Sequence, residues 1–172
     1  MASGRSLADV AGATGVSEAT LSRIETGRSD VSAPHLFRLA TLFDVDVSSF
    51  FDGTHSTSAK GVRSVSRRGE GRMFDTARMQ TSLLCTDLQE KKMHPFLNTV
   101  TATSLADVGG LAAHDGEEYL YVIDGGLFLH SDTYAPLYLE TGDSLYFDAA
   151  MPHAYVAADP GGAQFLVICS SQ

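Results

Sequence analysis

His114, Glu118 and His153 are the residues of this sequence best suited to chemistry at a common point. His114 stands where a loop enters an alternating apolar run. Glu118, four residues on, falls on the same side of a strand because side chains alternate with a period of two. Its neighbour Glu117 must then point the opposite way, toward solvent. Asp124-Gly125-Gly126 has the composition of a hairpin turn, so the spacing predicts that the strand carrying Glu118 returns there. The later strand reaching His153 is expected to close beside it. Two neutral imidazoles and one carboxylate ligate Fe, Mn, Ni or Zn and leave positions open for water or an organic ligand. The plainer reading of the same histidines is as rim residues hydrogen-bonded to backbone. Tyr121, Tyr146 and Tyr155 are the expected wall of a ligand pocket, with core packing as the other role for each.

The segments that would position these groups have the pattern of short strands. MQTSLLCTDL, PFLNTVTAT, EYLYVI, GLFLH, APLYLE, DSLYF, HAYVA and AQFLVIC alternate or run fully apolar between Gly, Asp and Pro. Eight or more short strands with no long helix between them predict an antiparallel barrel or jelly roll rather than a parallel sheet.

Residues 6–51 have a different period. Leu7, Val10 and Ala11, and then Leu21 and Ile24, recur at helical spacing in short segments punctuated by Gly and Ser. Ser6 is placed to cap a helix with Asp9 in its first turn, and Gly15 to stop it. Ser17 caps a second helix over 18–25 that ends at Thr26-Gly27. Thr14-Gly15-Val16 is the length of turn that stands a second helix across the first. Between the two halves DGTHSTSAK is polar and rich in small residues, the composition of a linker. The expected organisation is α+β with two domains: helices over 1–52, a linker over 53–61 and an antiparallel β-barrel over 62–172.

With Ala11, Gly15-Val16-Ser17, Leu21-Ser22-Arg23-Ile24-Glu25, Gly27-Arg28, Leu36, Leu39, Ala40 and Val45, the first segment resembles the phage-repressor (XRE) helix-turn-helix family. The resemblance implies that Glu18, Ala19, Thr20, Ser22 and Arg23 face base edges and that Ser17, Thr26 and Arg28 reach phosphates. That family places a further helix ahead of the Ser6 helix, and five residues precede it here, so the first helix is expected to be missing. The second half resembles the cupin family. His114, Glu118 and Gly125 match that family's first motif, and Gly142 and His153 match the second. The first motif's other histidine falls at Ala112, and Asp148 and Ala150 replace the second motif's proline and glycine. The resemblance therefore implies a jelly roll with at most three of the family's metal ligands.

The 172 residues are 44% hydrophobic and 19% charged, which argues for a packed chain rather than a disordered one. A net charge of -9, if evenly spread, would repel a polyanion. Most of the excess lies beyond Glu70, which leaves room for a DNA-facing surface built on Arg23 and Arg28. Cys85 and Cys169 are the only cysteines and lack C-x-x-C spacing, so neither a zinc ribbon nor a disulfide framework is indicated. No apolar run has the length of a membrane span or signal peptide, and a cytoplasmic protein without membrane partners is expected.

The order of the two segments resembles a class of regulators in which a homodimer binds a double-stranded DNA operator and a cupin senses a small-molecule effector. On that reading the chain is not an enzyme. A second reading is a mononuclear non-haem iron oxygenase of the hydroxypropylphosphonic acid epoxidase type, whose His-Glu-His site has the same four-residue step. That epoxidase relies on tyrosines in the early barrel strands, and 73–95 contains none. A third is a cupin binding protein with a vestigial helical domain.

Overall fold

The computed structural model describes residues 5–26, 33–43, 45, 61–75, 78–88 and 91–170. Among the described residues three helices come first: α1 (Leu7–Thr14), α2 (Glu18–Glu25) and α3 (Ala33–Phe43). Ser6 caps α1 in a reciprocal box with Asp9, and Gly15 closes the helix with φ 67°, a conformation in which a Cβ is strained. Ser17 caps α2 by accepting from the Thr20 amide. The three helices bury Val10, Val16, Leu21 and Leu39 against one another. The linker expected over 53–61 lies, Gly61 apart, outside the described residues.

Nine strands follow among the described residues: β1 (Arg72–Asp75), β2 (Gln80–Leu83), β3 (Met93–Val100), β4 (Glu117–Gly125), β5 (Leu127–Ser131), β6 (Leu137–Leu139), β7 (Ser144–Asp148), β8 (His153–Ala157) and β9 (Ala163–Ser170). They form two antiparallel sheets, six-stranded β1-β2-β3-β9-β4-β7 and three-stranded β6-β5-β8, the layered form of a jelly roll. Strand β1 was not among the expected strands, because Arg72 and Asp75 interrupt its apolar pattern.

The period-two reading holds where one face is wet. In β4, Glu118, Leu120 and Val122 are buried while Glu117, Tyr119 and Tyr121 are exposed. In β9 Ala163, Phe165, Val167 and Cys169 are buried and alternate with half-covered residues. All five residues of β8 are buried, because both its faces are covered. Tyr155 and Ala157 enter the main core, and Ala154 and Val156 pack under Val108, Leu105 and Leu111.

The expected hairpin at Asp124-Gly125-Gly126 is corrected. Strand β4 already pairs with β7 on one side and β9 on the other, so β5 cannot return beside it. Instead the chain crosses there into the second sheet, where β5 pairs with β6 and β8. Gly125, at φ 78°, lies so close to Gly162 that a Cβ would fall 2.3 Å from its carbonyl oxygen. Glu118 and His153 consequently stand on opposite sheets and meet across the interior, not along adjacent strands.

The helices are seated on the jelly roll. Ala40 belongs to the main jelly-roll core, and Ile24 packs against both that core and the helical one. No helix among the described residues is long and apolar enough to cross a membrane.

Candidate metal centre and nucleic-acid face

Glu118 is 4% exposed and lies at the meeting point of four polar side chains. Its Oε1 is 2.6 Å from His114 Nε2, 3.6 Å from His153 Nε2 and 3.5 Å from Cys169 Sγ. Its Oε2 accepts from the Tyr155 hydroxyl. His114 reaches this point from the loop before β4, held by its amide's bond to the Ala149 carbonyl. His153 opens β8, and its backbone forms an isolated two-bond bridge with Ala112. The structure thus brings His114, Glu118 and His153 together, each buried.

Backbone contacts set the tautomers. His114 Nδ1 lies 3.0 Å from the Asp115 carbonyl and His153 Nδ1 lies 2.8 Å from the Met151 carbonyl. A carbonyl only accepts, so each Nδ1 carries the proton, and in the neutral ring each Nε2 presents a lone pair toward Glu118. Lone pairs facing a carboxylate in a buried site need a cation among them, either a proton on the ring or a metal ion. The ligand atoms of His114, Glu118 and Cys169 all lie within 4.8 Å of one another, and His153 Nε2 stands 3.6 Å from Glu118 Oε1. An outer-nitrogen bond to a carbonyl is also the arrangement that orients metal-binding histidines. The donor set fits a divalent transition metal.

Burial alone would raise the Glu118 pKa, but the hydrogen bonds and charges of His114 and His153 reverse this and hold it well below the usual carboxylate range. For His114 burial lowers the pKa, and the hydrogen bond and charge of Glu118 lift it above the ordinary imidazole value. Burial, with the nearby Glu118 charge, pushes Tyr155 and Cys169 well above theirs. Without a metal, both therefore act as neutral donors to the carboxylate.

Cys169 is the residue that sequence reasoning missed. With His114 and Glu118 it forms a group of ligand atoms all within 4.8 Å of one another. The inward alternation of Phe165, Val167 and Cys169 was a usable signal, but its pairing opposite Glu118 is a register fact between distant strands.

A cavity of about 60 Å³ opens beside the centre. Tyr155 lines it, with Arg78, Asn98, Met79, Phe96 and Val108 among the other wall residues. Tyr121 and Tyr146 do not. They are 41% and 60% exposed on the outer face of the large sheet, since their parity along β4 and β7 is opposite to that of Glu118 and Phe147. The expectation that they wall this pocket is corrected.

On α2, Glu18, Ala19, Ser22 and Arg23 are exposed, Thr20 is half-buried, and Leu21 is buried on the opposite face. Ser17 and Thr26, also exposed, use their hydroxyls within the helix. Ser17 caps Thr20, and Thr26 donates to the Ser22 and Arg23 carbonyls. Arg28 lies outside the described residues.

The family models described as "Helix-turn-helix domain" and "Cupin domain" match residues 1–49 and 106–169. The chain thus carries a helix-turn-helix segment over 1–49 and, after it, a cupin segment over 106–169. Among solved structures it is similar to an HTH_3 family transcriptional regulator from Vibrio cholerae. Identity is 22% and the TM-score 0.65, with 98% of this chain and 88% of that one covered. It is also similar to hydroxypropylphosphonic acid epoxidase from S. wedmorenis, with 19% identity, TM-score 0.53 and coverage of 96% and 88%. A structure of Fe(II) HppE gives 18% identity, TM-score 0.55 and coverage of 95% and 89%. At these identities the likeness is one of fold. No curated protein matches the chain.

Proposed function

We propose that this chain is a cytoplasmic, homodimeric transcription regulator that binds double-stranded DNA through α2 and senses a small molecule in its cupin cavity. The observation that carries this reading is the pairing of an exposed polar helix face with a buried centre in one packed chain. Leu21 anchors α2 from behind while Glu18, Ala19, Ser22 and Arg23 remain open to solvent. Such a face suits base-edge contacts in a major groove.

His114, Glu118 and His153 would hold a divalent metal, with Cys169 beside them. The ion would supply open coordination positions for an oxygen-donor ligand. Arg78 stands in the cavity wall and donates to the Gly110 carbonyl at 3.1 Å. A metal and a guanidinium around one small cavity favour an anionic effector such as a carboxylate. Its effect on DNA binding would follow from unequal affinity for the DNA-competent and incompetent arrangements.

The test is binding of the purified protein to a duplex from upstream of its own gene, titrated over salt. The expected result is sequence-dependent affinity that falls steeply with ionic strength and drops by about tenfold or more in R23A. No specific binding to any upstream duplex, with or without metal, would overturn it. The two imidazoles and one carboxylate also support a second reading as an iron oxygenase. Turnover of an organic acid with Fe(II) and oxygen, lost in H153A, would decide for that reading.

A further inference from the structure

A direct hydrogen-bonded connection between the helices and the residues of the centre runs through one side chain of α3. Arg38 Nη1 donates to the Thr14 carbonyl at 3.1 Å. Thr14 is the last residue of α1, and Gly15 then turns the chain toward α2. The other side of the guanidinium makes two bonds to the Ala113 carbonyl, from Nε at 3.2 Å and Nη2 at 2.7 Å. Ala113 is joined by its own peptide bond to His114. One planar group thus ties the turn of the helix-turn-helix to the residue before a candidate metal ligand.

The geometry at both ends is suited to transmission. On the barrel side, residues 112–114 are tied directly to the centre. Ala112 exchanges two backbone bonds with His153, and the His114 amide donates to Ala149. A backbone shift of His114 toward His153 carries with it the peptide that joins it to Ala113. On the helical side the Thr14 hydroxyl binds the Val10 carbonyl and accepts from the Val16 amide, so the turn is braced. Gly15 has no side chain, and a Cβ there would sit 3.5 Å from Arg38 Nη1. Displacement of the guanidinium is therefore passed to the Thr14-Gly15 turn and on to the Ser17 cap of α2.

One helical turn before Arg38, half-buried His35 has its pKa lowered first by burial and then by the charges of Arg38 and Arg78. Arg78 lines the cavity. The same face of α3 thus lies near both the Ala113 carbonyl and the cavity wall.

We propose that Arg38 is the positioning residue that couples occupancy of the His114-Glu118-His153 centre to the orientation of α2. This rests on the reading of the centre as a sensor, but it requires no DNA to test. A guanidinium is suited to the role because its rigid fork holds two directions at once, which an ammonium cannot reproduce.

The experiment is backbone hydrogen exchange on the full-length chain, with and without Co(II), for wild type, R38A and R38K. Co(II) binding is followed separately by its visible absorption. In the wild type, Co(II) is expected to change exchange of amides over 12–21 by threefold or more. In R38A and R38K, Co(II) should bind with unchanged stoichiometry while that change falls below about one third of its wild-type size on a logarithmic scale. R38K keeps the charge and most of the stem, so it carries the same reading if R38A does not fold. A helical response that survives both substitutions, or wild-type Co(II) binding with no helical response, would overturn the relay and leave the sensor reading standing. Absence of Co(II) binding to the wild type would overturn both.

Discussion

The helical and barrel halves of this protein handle their polar residues in opposite ways. On α2 the polar side chains lie outside, and Leu21 beneath them does the packing. In the jelly roll, His114, Glu118 and His153 are themselves buried, and the exposed Tyr119, Tyr121 and Tyr146 lie on the outer face of the large sheet. The first arrangement suits contact with a large solvated surface. The second suits a small ligand or ion, because removal from water strengthens each charge that remains and makes an unpaired one costly. Arg38 joins these regimes, with one edge at the end of α1 and the other at the loop before β4.

The contrast predicts unequal sensitivity to substitution. Glu118→Ala should be the most damaging change. It removes the carboxylate that His114, His153, Tyr155 and Cys169 all face, and metal content measured on the purified protein should fall to background. Wild-type metal content in that variant would break the assignment of the centre. Leu120→Ala, next along the inward face of β4, should cost about 2–5 kcal/mol by denaturant unfolding through the cavity it leaves. It tests whether this face is packed core.

Arg23→Ala should act only on the other half. Specific DNA affinity should fall by about tenfold or more, with metal content and unfolding midpoint unchanged, as expected for an exposed residue. Ser6→Ala should cost about 1 kcal/mol by loss of the α1 cap.

The smallest effect concerns pH. The Ser6 hydroxyl, then the Ser6 amide, hold the Asp9 pKa below 3.8. A carboxyl depressed in the folded state contributes above its unfolded pKa, and that contribution is lost as pH falls through the folded value. Exchange of the α1 amides should therefore gain an acid-side dependence below about pH 4 beyond the intrinsic rate, and Ser6→Ala should flatten it. A dependence unchanged in that variant would separate Asp9 from the cap.

Much of this molecule was legible in its local patterns. Ser6, Gly15 and Ser17 marked helix boundaries because caps and left-handed stops depend on a few neighbouring atoms. Glu118 was separable from Glu117 because the period of two admits no other division of faces. Tyr121 and Tyr146 were misplaced because their aromatic character was weighed above that same parity, which already set them opposite Glu118 and Phe147.

The sequence alone determined the two kinds of element, their order, and the three residues that meet at one buried point, since capping and alternation act over a few bonds. Only the tertiary structure decided that Glu118 and His153 approach from different sheets, that Cys169 joins them, and that Arg38 reaches Ala113. Each of those depends on which distant strand fills an edge and at what register, and on how α3 seats against the barrel. Those outcomes are set by competition for the whole core, which short-range patterns do not encode.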